Sequence, residues 1–204
     1  MYYIDFINFI EMKMEFTHKS GIDLITGPMF SGKSTELVRR LVILGEAGFK
    51  VAYVNSTIDT RQKISHNKVF SNDGNLPFAK YKVDALYAIQ TDLMEYDVIG
   101  VDEGQFFTEL FQFCVDMCER YEKKIIVGGL ISDFRRQRFG QMSDLIHVCD
   151  TIVKLTSFCK LCAESKQFVP ALFSKRIDKN NAIDISVGAE EAYVPTCRKC
   201  FFML

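Results

Sequence analysis

Apolar positions along this chain change period repeatedly, and the changes predict its elements. Ile22-Asp23-Leu24-Ile25-Thr26 is a short apolar run stopped by Gly27, the pattern of a buried parallel strand. From Lys33 to about Gly45, Leu37, Leu41 and Leu44 recur at helical spacing, with Gly45 and Gly48 as punctuation. Val51-Ala52-Tyr53-Val54 predicts a second strand, and the polar stretch Asn55 to Lys82 a long loop of the kind kept for function. A weakly helical segment from about Val83 to Leu93 precedes a third strand, Asp97 to Val101. A helix over Gln105–Tyr121, a strand over Lys124–Gly128, a helix over Gln141–Cys149 and a strand over Thr151–Leu155 follow. Such alternation over residues 22–155 predicts an α/β fold, a parallel sheet with helices on both faces.

Between the first strand and the first helix lies Gly27-Pro28-Met29-Phe30-Ser31-Gly32-Lys33-Ser34, which fits G-x-x-x-x-G-K-[ST], with Thr35 next. Strand before and helix after are the setting this phosphate-binding loop requires. Its glycines let consecutive N–H groups converge on one anion, and the helix N-terminus adds partial positive charge. Lys33 is expected at the β/γ-phosphates and the Ser34 hydroxyl on Mg²⁺. The fold expected is therefore P-loop NTPase-like.

The third strand ends in Asp102-Glu103. Ligands of open α/β sheets sit at the carboxyl ends of the strands, so Asp102 is expected beside the metal, holding it directly or through water. Glu103, next to the γ-phosphate, can take a proton from the attacking nucleophile.

Cys159-x-x-Cys162 and Cys197-x-x-Cys200 offer four soft ligands on two knuckles, suited to a closed, structural Zn²⁺ site. A redox role for one pair is disfavoured because neither is expected to open a helix after a strand. Cys114 and Cys118, four apart on an expected helix, read as core. The chain then divides into an extension over 1–20, a nucleotide-binding domain over 21–156 and a zinc-binding segment over 157–204.

Composition narrows the partners. The 204 residues carry a formal net charge of -1, with 48% hydrophobic and 25% charged residues. That is ordinary globular material, without the basic excess of a nucleic-acid binder. Residues 1–20 lack a basic start and a small-residue cleavage site, and no apolar run reaches the ~18 residues of a spanning helix. We expect an intracellular, cytoplasmic protein that engages neither nucleic acid nor membrane.

Taken in order, GPMFSGKST (27–35), Asp59-Thr60-Arg61, Asp102-Glu103-Gly104-Gln105-Phe106-Phe107, Phe134, Phe139-Gly140, Tyr193 and the two CxxC pairs resemble the type II thymidine kinases. This is the cytosolic and large-DNA-virus group, and the likeness covers roughly residues 20–202. It implies phosphoryl transfer from ATP to the 5′-hydroxyl of thymidine, with deoxyuridine as a lesser substrate. It implies Glu103 as general base, and Lys33 with Arg61 as stabilisers of the transferring charge. Asp59, Arg61, Asp102 and Gln105 join the phosphate loop in the ATP site. The nucleoside site would be formed by Met29, Leu130, Phe134, Phe139 and Tyr193, by Arg176 on phosphate, and by main chain of a zinc-clamped lasso over Asp184, Ser186 and Gly188. At most one of Phe106 and Phe107 is expected to face it. A homo-oligomer, commonly a tetramer, is also implied. Where the family has Asp after the leucine of its G-L-D segment, Ile131 follows Leu130 here. Two other readings share the phosphate loop: another nucleoside or nucleotide kinase with a zinc lid, and an ATPase with a zinc-ribbon nucleic-acid module.

Overall fold

The apolar runs are strands because both faces of the sheet they form are covered. The computed structural model describes residues 20–59, 78–177 and 192–203. Within these, β1 (Gly21–Thr26), β2 (Val51–Ser56), β3 (Ala79–Val83), β4 (Val98–Val101), β5 (Lys124–Gly129) and β6 (Thr151–Lys154) make a six-stranded sheet ordered β3-β2-β4-β5-β1-β6. Each neighbouring pair runs parallel. Alternate residues of one strand serve opposite layers. Ile25, Tyr53, Val98 and Ile126 pack under helix α1 (Lys33–Glu46), on Leu37, Val38, Leu41 and Leu44. Leu24, Val54, Ile99, Val101 and Val127 face the other way, against Leu86, Leu93, Phe107, Leu110, Phe113 and Met117. The expected α/β sheet with helices on both faces is present. Gly100 sets how near α1 comes: a Cβ there would fall 2.5 Å from Leu41 Cδ1.

Three expected elements differ. The stretch Asn55 to Lys82 is not loop throughout, because Ala79–Val83 forms the edge strand β3 beside β2. Its alternation puts Lys80 and Lys82 outward, a common protection for a sheet edge. The helix expected from Gln105 to Tyr121 is broken. Gly104–Phe106 is a 3₁₀ turn, Phe107 is extended, and α-helix begins only at Leu110. Phe107 leaves the helical path and is fully buried in the core. We label α2 the turn Gln90–Leu93 and α3 the helix Leu110–Val115, which widens into a π-type turn over Asp116–Arg120. Finally, Gln141–Cys149 yields only a 3₁₀ turn, Asp144–His147, since Met142 and Leu145 reach the core while Ile146 is exposed.

Beyond the sheet, β7 (Ser157–Phe158) pairs with β8 (Pro170–Ala171) and β9 (Phe173–Arg176) with β10 (Tyr193–Thr196), both antiparallel. Short helices α4 (Lys160–Ala163) and α5 (Arg198–Phe202) complete this part. Among the described residues no helix is long and apolar enough to cross a membrane.

Candidate active site

The phosphate loop leaves the carboxyl end of β1, which lies between β5 and β6. Its tight path needs glycine at two points. Gly27 has φ 149°, and a Cβ there would stand 2.5 Å from the Leu155 carbonyl oxygen. Gly32, at φ 83°, caps α1 in the left-handed region. Phe30 is also left-handed, and its ring is 48% exposed. Lys33 is buried and its Nζ donates to the Pro28 carbonyl at 2.9 Å, curled along the loop. Ser34 and Thr35 fall in the first turn of α1. The Ser31 Oγ is buried without a hydrogen-bond partner among the described residues. A buried, unpaired hydroxyl inside a curled loop at a helix N-terminus fits an oxyanion such as a phosphate. The Met29 amide donates to Ser174 Oγ on β9 at 2.9 Å, joining the loop to the C-terminal part.

Opposite the loop, β4 delivers its carboxylates. Register pairs Tyr53 with Gly100, so Asp102, two residues on, shares Tyr53's face. The Tyr53 hydroxyl donates to Asp102 Oδ2 at 2.8 Å, and the Glu103 amide donates to Oδ1 at 3.0 Å. The side chain of Ser34 also bonds Asp102. Thus the two proposed magnesium ligands touch across the gap between α1 and β4, and their hard oxygens suit that ion. Burial, then the adjacent Glu103 charge, push the Asp102 carboxyl up to about 6, although the Ser34 and Tyr53 hydrogen bonds pull the other way. Asp59 is buried nearby, with Asn55 Nδ2 at 3.0 Å from its Oδ2 and Lys82 Nζ at 2.7 Å from its carbonyl. Burial first, and then the charges of Asp102, Asp59 and Glu103, raise the Tyr53 hydroxyl well above its usual range.

Glu103 adopts the left-handed region at φ 51° and is 8% exposed. A non-glycine residue held there costs about 1–3 kcal/mol and persists only where neighbours enforce it. Gln105 is one such neighbour. Its Nε2 donates to Glu103 Oε2 at 2.5 Å, and its Oε1 accepts from the Leu130 amide at 2.9 Å.

The aromatic residues gather in two groups. Phe134 and Tyr193 lie with ring centroids 5.9 Å apart, and the Arg176 guanidinium stands 5.5 Å over the Phe134 ring. Phe139 instead packs edge-on against Phe106 at 5.7 Å. Only Phe106 of the adjacent pair is partly exposed; Phe107 is core. Phe134 sits on an arm closed by the bridge between Ser132 and Arg138. At the arm's turn Arg136 lies over Phe201 and Phe202 of α5, at 5.0 and 4.9 Å. A small cleft of about 80 Å³ runs between Gly27-Pro28, Leu130, Asp133 and Phe173-Ser174. Arg61, Asp184, Ser186 and Gly188 lie outside the described residues.

Cys159, Cys162, Cys197 and Cys200 converge, their sulfurs all within 4.8 Å of one another. Tetrahedral zinc with bonds of about 2.3 Å separates its sulfurs by about 3.8 Å, and the donor set fits it. One expectation about these pairs is corrected. Cys159 and Cys197 each follow a strand and cap a short helix, α4 and α5. The convergence of all four sulfurs, and not the absence of a strand–helix setting, favours a metal.

Tyr53 and Ser174 were not singled out as site residues from the sequence. Tyr53 reads as an ordinary strand aromatic, and its contact with Asp102 depends on the β2–β4 register. Ser174 carried a weak signal, standing two residues before Arg176.

Comparison with known proteins gives a concordant result. The profile of the family described as "Thymidine kinase" matches residues 20–201. The chain is 38% identical to the thymidine kinase of Sheeppox virus (strain KS-1) over 182 residues, 89% of this chain and 97% of that protein. It is 38% identical to the thymidine kinase of Amsacta moorei entomopoxvirus over 185 residues, 88% and 97% of the two chains. Among solved structures, the flagellar accessory protein FlaH from Methanocaldococcus jannaschii aligns at a TM-score of 0.47 and 16% identity, over 69% of this chain and 72% of that one. That likeness is too slight to bear on function.

Proposed function

This chain belongs to the thymidine kinase family and phosphorylates thymidine in nucleotide salvage, and from that premise we propose how its residues divide the work. The γ-phosphate of ATP passes to the 5′-hydroxyl of thymidine, and to deoxyuridine secondarily. The loop from Gly27 to Thr35 holds the triphosphate by its amides, with Lys33 uncurling from the Pro28 carbonyl to reach the β/γ-phosphates. Asp59 and Arg61 complete the ATP side. Ser34 and Asp102 would hold Mg²⁺, which would supply positive charge to offset that of the phosphates.

Glu103 accepts the proton of the 5′-hydroxyl as its oxygen attacks the γ-phosphorus, and ADP departs. Enclosure keeps water from competing as acceptor. Leu130, Phe134, Phe139 and Tyr193 with Met29 provide an apolar slot for the pyrimidine, main chain over 184–188 its hydrogen bonds, and Arg176 a phosphate contact. Zn²⁺ on Cys159, Cys162, Cys197 and Cys200 clamps the base of that lasso and takes no part in the chemistry. Residues 21–156 serve as the kinase domain, 157–204 as the zinc-held segment and 1–20 as an extension. The enzyme is read as a cytoplasmic homo-oligomer, a tetramer by its family likeness.

The observation carrying this reading is the contiguity of Ser34, Asp102 and Glu103 at the mouth of the phosphate loop. Glu103→Gln tests it. Turnover should fall by about 10² or more, the scale of losing a general base, with KM for ATP within twofold. A variant that turns over thymidine at the parental rate would remove Glu103 from the mechanism.

A further inference from the structure

The general-base carboxylate is not held by its own backbone. Glu103 stands in the left-handed region immediately before the turn Gly104–Phe106, so its side-chain direction depends on what grips it from outside. Gln105, 4% exposed, spends both ends of its amide on one bridge: Nε2 to Glu103 Oε2 at 2.5 Å, and Oε1 from the Leu130 amide at 2.9 Å. The bridge runs in one sense only. A backbone N–H can only donate, so Oε1 must face Leu130, which leaves the NH₂ group to face the carboxylate.

Glycines in two neighbouring segments make room for this residue, Gly129 for its side chain and Gly140 for its main chain. A Cβ on Gly129 would lie 2.6 Å from Gln105 Oε1. One on Gly140, whose φ is 57°, would lie 2.3 Å from the Gln105 carbonyl oxygen. The bridge thus rests on the end of β5, and the turn after Phe139 packs on the main chain that carries it.

We propose that Gln105 is a positioning residue for the base rather than an ATP contact. It fixes Glu103 relative to Leu130, the wall on which the nucleoside lies, so that carboxylate and 5′-hydroxyl keep one spacing. The inference rests on the reading of Glu103 as base and revises the expectation that Gln105 belongs to the ATP site. Oε2 is the oxygen under restraint. A charge-assisted donor also steadies the carboxylate without neutralising it.

The test uses full-length, zinc-loaded enzyme and steady-state kinetics with ATP and thymidine. Gln105→Met keeps the length and removes both hydrogen bonds; Gln105→Asn keeps the amide but is one methylene too short to span the bridge. Each should lower kcat by about 10–100-fold while KM for ATP stays within twofold, since misplacing a reacting group by about 1 Å costs up to about 10²-fold. If Gln105→Met does not fold, Gln105→Asn carries the measurement. Adding Gln105→Asn to Glu103→Gln should then cost nothing further in kcat, because a positioner without its base has nothing to position. A rise in KM for ATP at constant kcat would overturn the proposal in favour of an ATP contact. A further loss in the double variant would overturn it in favour of general scaffolding. If Glu103→Gln alone turned over normally, the base reading itself would fall, and this inference with it.

Discussion

Asp102 should make this enzyme less stable than it could be, and Asp102→Asn measures by how much. Burial and the Glu103 charge hold its carboxyl at about 6 in the folded chain, against about 3.9 for an exposed aspartate. Each pH unit of that difference corresponds to about 1.4 kcal/mol, so ionising Asp102 at pH 8 costs about 3 kcal/mol. The sign follows directly. Because the folded-state value is raised, the contribution to stability is full below about pH 4, declines as pH rises through about 6, and is flat above. Asparagine removes the charge but presents a donor where the acid accepted from Tyr53 or Glu103, a loss of about 1 kcal/mol per unmatched bond. In magnesium-free buffer with zinc retained, the variant should therefore exceed the parent by about 1–2 kcal/mol at pH 8. That advantage should vanish or reverse near pH 4. Urea unfolding across this range reads it out, and magnesium added to the parent should narrow the gap by binding the folded state. Phosphoryl transfer by the variant should be lost. A difference in stability that does not change between pH 4 and pH 8 would refute the reasoning, since only a buried charge produces the slope.

Two more perturbations probe the C-terminal part. Cys159→Ser should cost the zinc and open the β7–α5 region to limited proteolysis, with weaker thymidine binding; metal content and proteolysis on one sample check it, and normal affinity without zinc would contradict the clamp. Arg136→Ala should raise KM for thymidine about 5–30-fold with kcat unchanged, since it removes two exposed cation–π contacts holding the Phe134 arm to α5, each worth about 0.5–1 kcal/mol. Phe202→Ala, which removes one of them, should raise it about 2–5-fold, and the pair of substitutions should be less than additive.

What was legible in the sequence is what short spacing encodes. The phosphate loop, the acidic pair closing a strand and the two CxxC knuckles are local patterns, and each occupies the kind of structural setting its chemistry needs. Buried strands β1, β2, β4 and β5 also declared themselves, because a strand covered on both faces leaves a nearly continuous apolar run. Other features are set by distant partners. β3 alternates as Ala79-Lys80-Tyr81-Lys82-Val83, but its lysines read as loop until β2 is beside it. Phe107 breaks an otherwise acceptable helix because the core wants its ring. Neither the Ser174 bond to the Met29 amide nor the Tyr53 bond to Asp102 has a signal at short range, as they join residues 145 and 49 positions apart.

The strand order has a consequence for how the chain is made. β1 leaves the ribosome first among the described strands, yet its sheet partners are β5 and β6, residues 124–129 and 151–154. The Met29 amide waits longer still, for Ser174. A nascent chain therefore carries its apolar first strand without a sheet partner until β5 has been made. Sheet assembly must wait on distant segments, slow for its size and exposed to aggregation on the way, as expected when they have to meet before either gains.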